Sequence, residues 1–373
     1  MNHLLHEAKL SVLEMNQVAA SICVGVSLNK LCGKNSDLVI RAEAFEVGFD
    51  GSRPDSPVAV AEPASVNCHG EKDCLVDLPL RIGTPFLWSP ETQPRYAVVI
   101  SAEQRGQVEH GEIQFGFDLA GQIVVTEKLK DASVASPALN SQLPSVFVVS
   151  DSTAFSNGKN QRGWGDELAK KFDRTKINVL NRARPGRSTR SFRSEGLWQR
   201  VLAELKAGDF VLIQFGHNDA DKLAEDRCRG VLPGVGEETK EVVIPDGTCE
   251  SVRTYGWYLR QFIAETKAKG ATPILLSLTA KNLWQDGKLV RHQSDYGDWA
   301  AQVARIGGAD FVDLAEIIAN RYDELGREKV QPLFCSASDN VHTSPAGAEL
   351  NAACVAAGLK RLPKSPLTKF LLT

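Results

Sequence analysis

Four short stretches of the chain carry side chains suited to acyl transfer. They are Ser152 in "VVSDST" (148–153), Gly186 in "RPGRS" (184–188), Asn218 in "GHND" (216–219), and Asp339 with His342 in "DNVH" (339–342). Acyl transfer needs a nucleophile, a base to take its proton, a group that orients the base, and donors for the oxyanion. Ser152 stands where an apolar run, 146–149, breaks towards a helix, which opens its hydroxyl to solvent. His342 can serve as base. Asp339 lies three residues earlier, and one helical turn or a tight loop brings its carboxylate towards the imidazole. An ionised partner there would fix the tautomer and stabilise the imidazolium. Gly186 offers an unobstructed backbone N–H, and Asn218 an amide NH2 that can point at the same oxygen. Singly, each piece has an ordinary reading as a turn serine, a helix cap or a loop start. Together they point to one constellation only if the fold gathers them.

The periodicity from residue 145 onward supplies such a fold. Runs at 146–150, 177–181, 209–215, 273–279 and 310–314 are nearly continuous in apolar residues, as parallel strands buried on both faces require. Between them Trp164, Leu168 and Phe172 repeat at helical spacing, as do Leu197, Val201, Leu202 and Leu205. Val252, Tyr255, Leu259, Phe262 and Ile263 form a further stripe. The pattern predicts a three-layer α/β/α, flavodoxin-like domain over 145–373 with a five-stranded parallel sheet, whose sites lie at the carboxyl ends of the strands. All four chemical stretches fall at or beyond such ends. Residues 1–128 read differently. Short, partly alternating runs at 37–47, 57–62, 74–80, 95–104, 111–118 and 122–127, separated by turn formers, predict an accessory β-sandwich. The Ser-, Ala- and Pro-rich stretch 129–144 reads as the linker.

Composition narrows the partners. The chain of 373 residues is 43% hydrophobic with a net charge of −3, and its Lys and Arg form no single basic tract, which argues against nucleic acid as the main partner. No run of about 18 apolar residues is present, so no membrane span is expected. Glu7, Lys9 and Glu14 break the order of a signal peptide, leaving a cytoplasmic protein or one whose leader has been removed. The eight cysteines, at 23, 32, 68, 74, 228, 249, 335 and 354, read as four local pairs. That even count points to disulfides and a secreted or periplasmic location, against the alternative of buried free thiols in a cytosolic protein. The absence of a CxxC pair speaks against structural zinc.

Several motifs carry a resemblance. "SDST" (150–153), "GWG" (163–165), "GRSTRS" (186–191), "EGLWQRVLAELKAGDFVLIQFGHND" (195–219) and "DNVH" (339–342) follow one another in the order of a known family. The chain from 145 to about 362 resembles the SGNH (GDSL-type) hydrolases, and within them the rhamnogalacturonan acetylesterase branch. The resemblance implies Ser152 as nucleophile, Asp339 and His342 as the rest of the triad, and the Ser152 N–H, Gly186 and Asn218 as the oxyanion hole. It also implies hydrolysis of an O-acetyl ester through an acetyl-Ser152 intermediate, with no metal or organic cofactor. One departure is Ser150, where the family usually has glycine; serine fits unless the backbone needs a positive φ. Segment 85–118, "PFLWSPETQPRYAVVISAEQRGQVEHGEIQFGFD", resembles the sandwich domain of the large β-galactosidase family and implies architecture alone.

Substrate recognition is less sharply written. Arg182, Arg184, Arg187, Arg190 and Arg193 crowd the loop after the second strand of the parallel sheet. Arg187 and Arg190 are candidates for pairing with uronate carboxylates, the alternative being surface ion pairs. The insertion 220–250 should overhang the site, stiffened by a Cys228–Cys249 bridge. Trp284, Arg291 and His292 follow the fourth strand and are candidates for sugar contact, although a core tryptophan is an equal reading of Trp284. His217 is expected to pack or hydrogen-bond so as to hold Asn218. The readings that remain are an esterase for acetylated pectin such as rhamnogalacturonan, an esterase for acetylated xylan or small sugars, and a non-catalytic glycan-binding protein.

Overall fold

A computed structural model of the chain describes residues 4–15, 19–28, 38–47, 57–66, 74–83, 95–104, 106–118, 120–131, 142–156, 160–225, 228–245, 247–362 and 365–372. The chain separates into two compact units, Met1–Leu139 and Asn140–Thr373.

The first unit is built of β1 (Leu5–Met15), β2 (Ala19–Leu28), β3 (Leu38–Val47), β4 (Ala59–Val60), β5 (Ala64–Val66), β6 (Cys74–Gly83), β7 (Arg95–Gln104), β8 (Gln107–Phe117) and β9 (Ile123–Asp131). One antiparallel sheet has the order β1-β2-β6, and a second runs β4-β3-β7-β8-β9 with β5 also paired to β3. Alternate residues of both sheets enter one apolar cluster: Ile22, Val24 and Val26 from β2 share it with Ile40, Ala42, Val98, Ile100 and Phe115. The sandwich expected from the turn spacing is therefore present. Its first two strands, however, were not anticipated. In β2 the alternation is clear, since Ala20, Ile22, Val24, Val26 and Leu28 are buried. In β1 register shifts between Leu5 and Glu7 and between Val12 and Glu14 interrupt it. Strand β9 continues through Leu129–Asp131, residues expected to start the linker. The "LWSP" turn at 87–90 lies outside the described residues.

The second unit contains β10 (Ser145–Val149), α1 (Trp164–Glu167), β11 (Asn178–Asn181), α2 (Thr189–Ser194), α3 (Leu197–Glu204) and β12 (Phe210–Ile213). Next come β13 (Thr239–Val243), β14 (Cys249–Arg253), α4 (Tyr255–Ala268), β15 (Thr272–Leu276), β16 (Trp284–Gln285) and β17 (Lys288–Leu289). It closes with α5 (Tyr296–Gly307), β18 (Asp310–Val312), α6 (Leu314–Leu325), α7 (Arg327–Val330) and α8 (Pro345–Lys360). The central five-stranded sheet has the order β11-β10-β12-β15-β18, and every pair in it is parallel. Every residue of β10 and β12 is buried, which is why those segments read as unbroken apolar runs. Helix α4 packs on α5, and α1 and α6 pack on α8, which gives the doubly wound arrangement. Local signals set the helix starts: Thr254 caps α4 by accepting from the Trp257 N–H at 3.0 Å, and Ser344 caps α8. The insertion expected at 220–250 contains β13 and the first residues of β14, and the hairpin they form is register-paired from Thr239↔Arg253 to Val243↔Cys249.

Candidate active site

Strand β10 ends at Val149, and the chain turns at once: the Ala154 N–H donates to the Asp151 carbonyl at 3.2 Å. A buried knot holds this turn. Gln214, just past β12, accepts at its Oε1 from the Ser150 hydroxyl (3.0 Å), the Thr153 hydroxyl (3.0 Å) and the Trp164 indole N–H (3.1 Å). Asp151 Oδ1 in turn accepts from the Thr153 N–H at 2.9 Å. The backbone of "GWG" seals the turn from the side, with Trp164 N–H donating to the Thr153 carbonyl and Gly165 N–H to the Ala154 carbonyl, both at 3.1 Å. A Cβ on Gly163 would lie 2.1 Å from the Ala154 carbonyl carbon, and one on Gly165 2.6 Å from the Ala154 oxygen. Both glycines are required by this close approach. The departure at Ser150 is also explained. Among the described residues positive φ outside glycine occurs only at Cys228, Asp286 and His292, so Ser150 needs no glycine-like backbone.

Ser152, at the head of the turn, is linked to the far end of the chain. Its Oγ lies 2.8 Å from His342 Nε2, and His342 Nδ1 lies 2.8 Å from Asp339 Oδ2. The other carboxylate oxygen of Asp339 accepts from the backbone N–H groups of Val341 (2.8 Å) and His342 (2.9 Å). Burial alone would raise the Asp339 carboxyl, but those N–H groups and the imidazole outweigh it and hold it down at about 2. An ionised Asp339 is acceptor-only, so it accepts a hydrogen bond from the proton on Nδ1, and a neutral imidazole held this way presents a bare Nε2 to the Ser152 hydroxyl. The Cys335 thiol also donates to Asp339 Oδ2, at 3.4 Å. Burial, and then its bond to Asp339, pushes that thiol up to about 11. The loop is pinned to the "GWG" segment because the Thr343 hydroxyl donates to the Arg162 carbonyl and the Arg162 N–H to the Thr343 carbonyl, both at 2.8 Å.

Gly186 and Asn218 come from the loops after β11 and β12. Gly186 has φ +72°, a conformation open to glycine and strained for other residues. The Asn218 amide donates one N–H to the Arg187 carbonyl at 3.0 Å. The two loops are joined underneath by Asp219, whose Oδ1 accepts from the Thr189 N–H (2.9 Å) and hydroxyl (2.5 Å). Burial raises the Asp219 carboxyl to about 7. His217 donates to or accepts from the Thr279 hydroxyl at 3.0 Å, tying the "GHND" loop to the segment after β15, and burial lowers its pKa. The structure therefore brings the Ser152, His342 and Asp339 side chains together, with geometry suited to a hydroxyl nucleophile acting on an ester.

Residues 149–350 match the GDSL-like Lipase/Acylhydrolase family. The chain belongs to that family. Among curated proteins, this family member is 34% identical over 205 residues to the rhamnogalacturonan acetylesterase of Emericella nidulans, covering 55% of this chain and 80% of that one. It is 31% identical over 232 residues to the probable rhamnogalacturonan acetylesterase YesY of Bacillus subtilis, covering 61% of this chain and 97% of that one. Among solved structures, the Bacillus subtilis protein YxiM superposes with a TM-score of 0.52 at 17% identity, covering 92% of this chain and 84% of that one, a likeness of fold. The chain is accordingly a carboxylic ester hydrolase.

The residues expected to meet the substrate fare differently in this hydrolase. Arg190 is only 1% exposed, and its guanidinium is consumed by both oxygens of Glu250 and by the Leu223 and Gly230 carbonyls. It fastens the insertion to the domain, so its assignment to a substrate carboxylate is corrected. Arg187 pairs with Glu195 and the Pro185 carbonyl, Arg182 with Glu204, and Arg193 with Glu265; with Arg190, four of the five arginines after β11 thus have carboxylate partners within the fold. Arg291 is tied to Glu316, Asn320 and Asp323 beside α6. Trp284 packs against the core and donates its indole N–H to Asn282 at 2.7 Å, which is the core reading of that tryptophan. His292 alone of these is exposed, and it lines a pocket with His217, Thr279 and Lys281. Cys228 and Cys249 are free thiols in this structure, as are Cys23, Cys335 and Cys354, and the expected Cys228–Cys249 bridge is not shown by it. The insertion is stiffened by its hairpin and the Arg190–Glu250 pair. Sequence reading missed Gln214, Asp219 and Arg229. The "GHND" block contained one of them in plain view, but nothing in its spacing showed which loop Asp219 would reach.

Proposed function

We propose that this hydrolase removes O-acetyl groups from a plant cell-wall polysaccharide, rhamnogalacturonan in the first instance, by way of an acetyl-Ser152 intermediate. The observation that carries the mechanism is the unbroken Ser152–His342–Asp339 chain, at 2.8 Å in each of its two links. Ser152 Oγ attacks the acetyl carbon while His342 Nε2 takes its proton, and Asp339 stabilises the imidazolium so formed. The oxyanion is received by the Ser152 and Gly186 N–H groups and by the Asn218 amide hydrogen not given to Arg187. Collapse expels the sugar alkoxide, which takes the proton from His342. Water then attacks the acetyl-enzyme with His342 again as base, releasing acetate and restoring Ser152.

The choice of rhamnogalacturonan is supported by the two curated relatives of that description, at 34% and 31% identity. A polymeric substrate of this kind lies outside cells, which favours a secreted or periplasmic enzyme. Among the described residues no helix is long and apolar enough to cross a membrane. The decisive assay is acetate release from acetylated pectin, xylan and mannan by the wild type and by Ser152→Ala. The wild type should favour acetylated rhamnogalacturonan, and the variant should release no acetate while unfolding at the wild-type temperature. Acetate release by Ser152→Ala would overturn the mechanism; preference for xylan would overturn the substrate.

A further inference from the structure

The insertion after "GHND" returns to the site with a charged side chain that the mechanism has not used. Arg229 donates from Nη1 to Asn218 Oδ1 at 3.0 Å, and the same nitrogen lies 3.4 Å from the Gly186 carbonyl oxygen. Its Nε is bonded to Asp221 Oδ2. One guanidinium thus touches both residues that the proposed mechanism uses as oxyanion donors, at the Asn218 amide oxygen and the Gly186 carbonyl oxygen. The segment that carries it is fixed: the Gly230 carbonyl accepts from buried Arg190 at 2.9 Å, the Gly230 N–H donates to the Lys222 carbonyl at 3.2 Å, and the Val231 N–H donates to the Asp219 carbonyl at 3.0 Å.

We infer that Arg229 is a positioning residue of the oxyanion hole, setting which way the Asn218 amide faces; this rests on the assignment of Gly186 and Asn218 as oxyanion donors. The two ends of a carboxamide have nearly the same shape but opposite hydrogen-bonding character. Arg229 can only donate, so it demands the amide oxygen. The Arg187 carbonyl can only accept, so it demands the NH2. With both partners present, one N–H is left to point at the reacting oxygen. Without Arg229, one of the two determinants is gone, and an inverted amide would present a carbonyl oxygen to the oxyanion. The bond from a cation to Oδ1 also polarises the amide and strengthens the remaining N–H as a donor. Arg229 touches the substrate at no point in this account; it acts through Asn218 and the Gly186 loop.

The test uses the full chain, p-nitrophenyl acetate, and titration of active sites with a p-nitrophenyl phosphonate so that rates are expressed per competent site. Arg229→Ala should lower kcat by about 10- to 100-fold, less than the loss of a whole oxyanion donor, with KM changed less than about threefold. Arg229→Met keeps the stem volume and should show the same loss, which covers the case in which the alanine variant does not fold. Arg229→Lys, which retains a cationic donor without the fork, should fall between. In an Asn218→Ala background the Arg229→Met change should add less than about threefold, because the two act as a unit. Wild-type kcat per titrated site in Arg229→Met, a loss expressed in KM alone, or full additivity with Asn218→Ala would each overturn the inference. Activity surviving in Ser152→Ala would instead overturn the underlying mechanism and is read separately.

Discussion

At the scale of single residues, the site is a problem of keeping each polar atom in one protonation state. Asp339 accepts three N–H bonds in all, two from backbone and one from the His342 ring, and its carboxyl is held down at about 2. Asp339→Asn should preserve the loop but favour the wrong imidazole tautomer, lowering kcat by roughly 10³- to 10⁴-fold with little change in KM. The same carboxyl has a stability signature. Its folded pKa is depressed, so its contribution is present above the unfolded value of about 4 and is lost as pH falls through about 2. Urea midpoints of wild type and Asp339→Asn should therefore differ by a constant amount above about pH 5 and converge towards pH 2. A gap that persists unchanged at pH 2 would show that the loop owes nothing to the ionised carboxylate. The triad was legible in the sequence because nucleophile, base and orienting acid are declared by residue type. Arg229 was not, since its role depends on the path of an insertion whose hairpin carries no strong local signal.

At the scale of elements, the site is the meeting of four loops, and buried polar side chains decide how they meet. Gln214 binds the nucleophile turn to the end of β12, and Asp219 binds the "GHND" loop to the start of α2. Asp219 pays a conspicuous penalty. It is fully buried, its Oδ2 has no hydrogen-bond partner among the described residues, and its carboxyl is raised to about 7. The sign of the linkage is opposite to that of Asp339. Between about pH 4 and about pH 7 the folded state holds this proton more firmly than the unfolded chain, so stability falls as pH rises and levels off above 7. Asp219→Asn keeps an acceptor for Thr189 and replaces the protonated oxygen by a neutral amide, so its urea midpoint should lack this slope and equal or exceed the wild type at pH 8. A wild-type midpoint that is flat from pH 5 to 8 would rule out a proton on Asp219 in that range. The strands and amphipathic helices behind these loops were readable from periodicity, because burial on both faces imposes it. The arginine-rich loop was misread for the converse reason: a guanidinium looks the same in sequence whether its carboxylate is Glu250 or a ligand's.

At the scale of the whole molecule, the division of labour follows from where the polar machinery lies. Ser152, Gly186, Asn218, Arg229, Asp339 and His342 all belong to the unit Asn140–Thr373, which has its own apolar core from Val146 to Phe370. The first unit closes a separate core between its two antiparallel sheets. Its architecture was partly legible, the missing strands being β1, where register shifts near Glu7 and Glu14 break the alternation, and β2, where small residues such as Ala20 and Gly25 weaken the pattern. Two cores of this kind predict that the second unit folds alone. A chain comprising residues 142–373 should unfold cooperatively and hydrolyse p-nitrophenyl acetate with kcat within about threefold of the full chain, because a small ester needs only the groups of that unit. Acetate release from polymeric rhamnogalacturonan, compared between the two chains at equal p-nitrophenyl acetate activity, then reports what the sandwich contributes. A polymer-specific rise in KM on truncation would assign it to glycan binding. Equal values on both substrates would exclude that role, and loss of the small-ester activity in a folded chain would show that the catalytic groups are not confined to one unit.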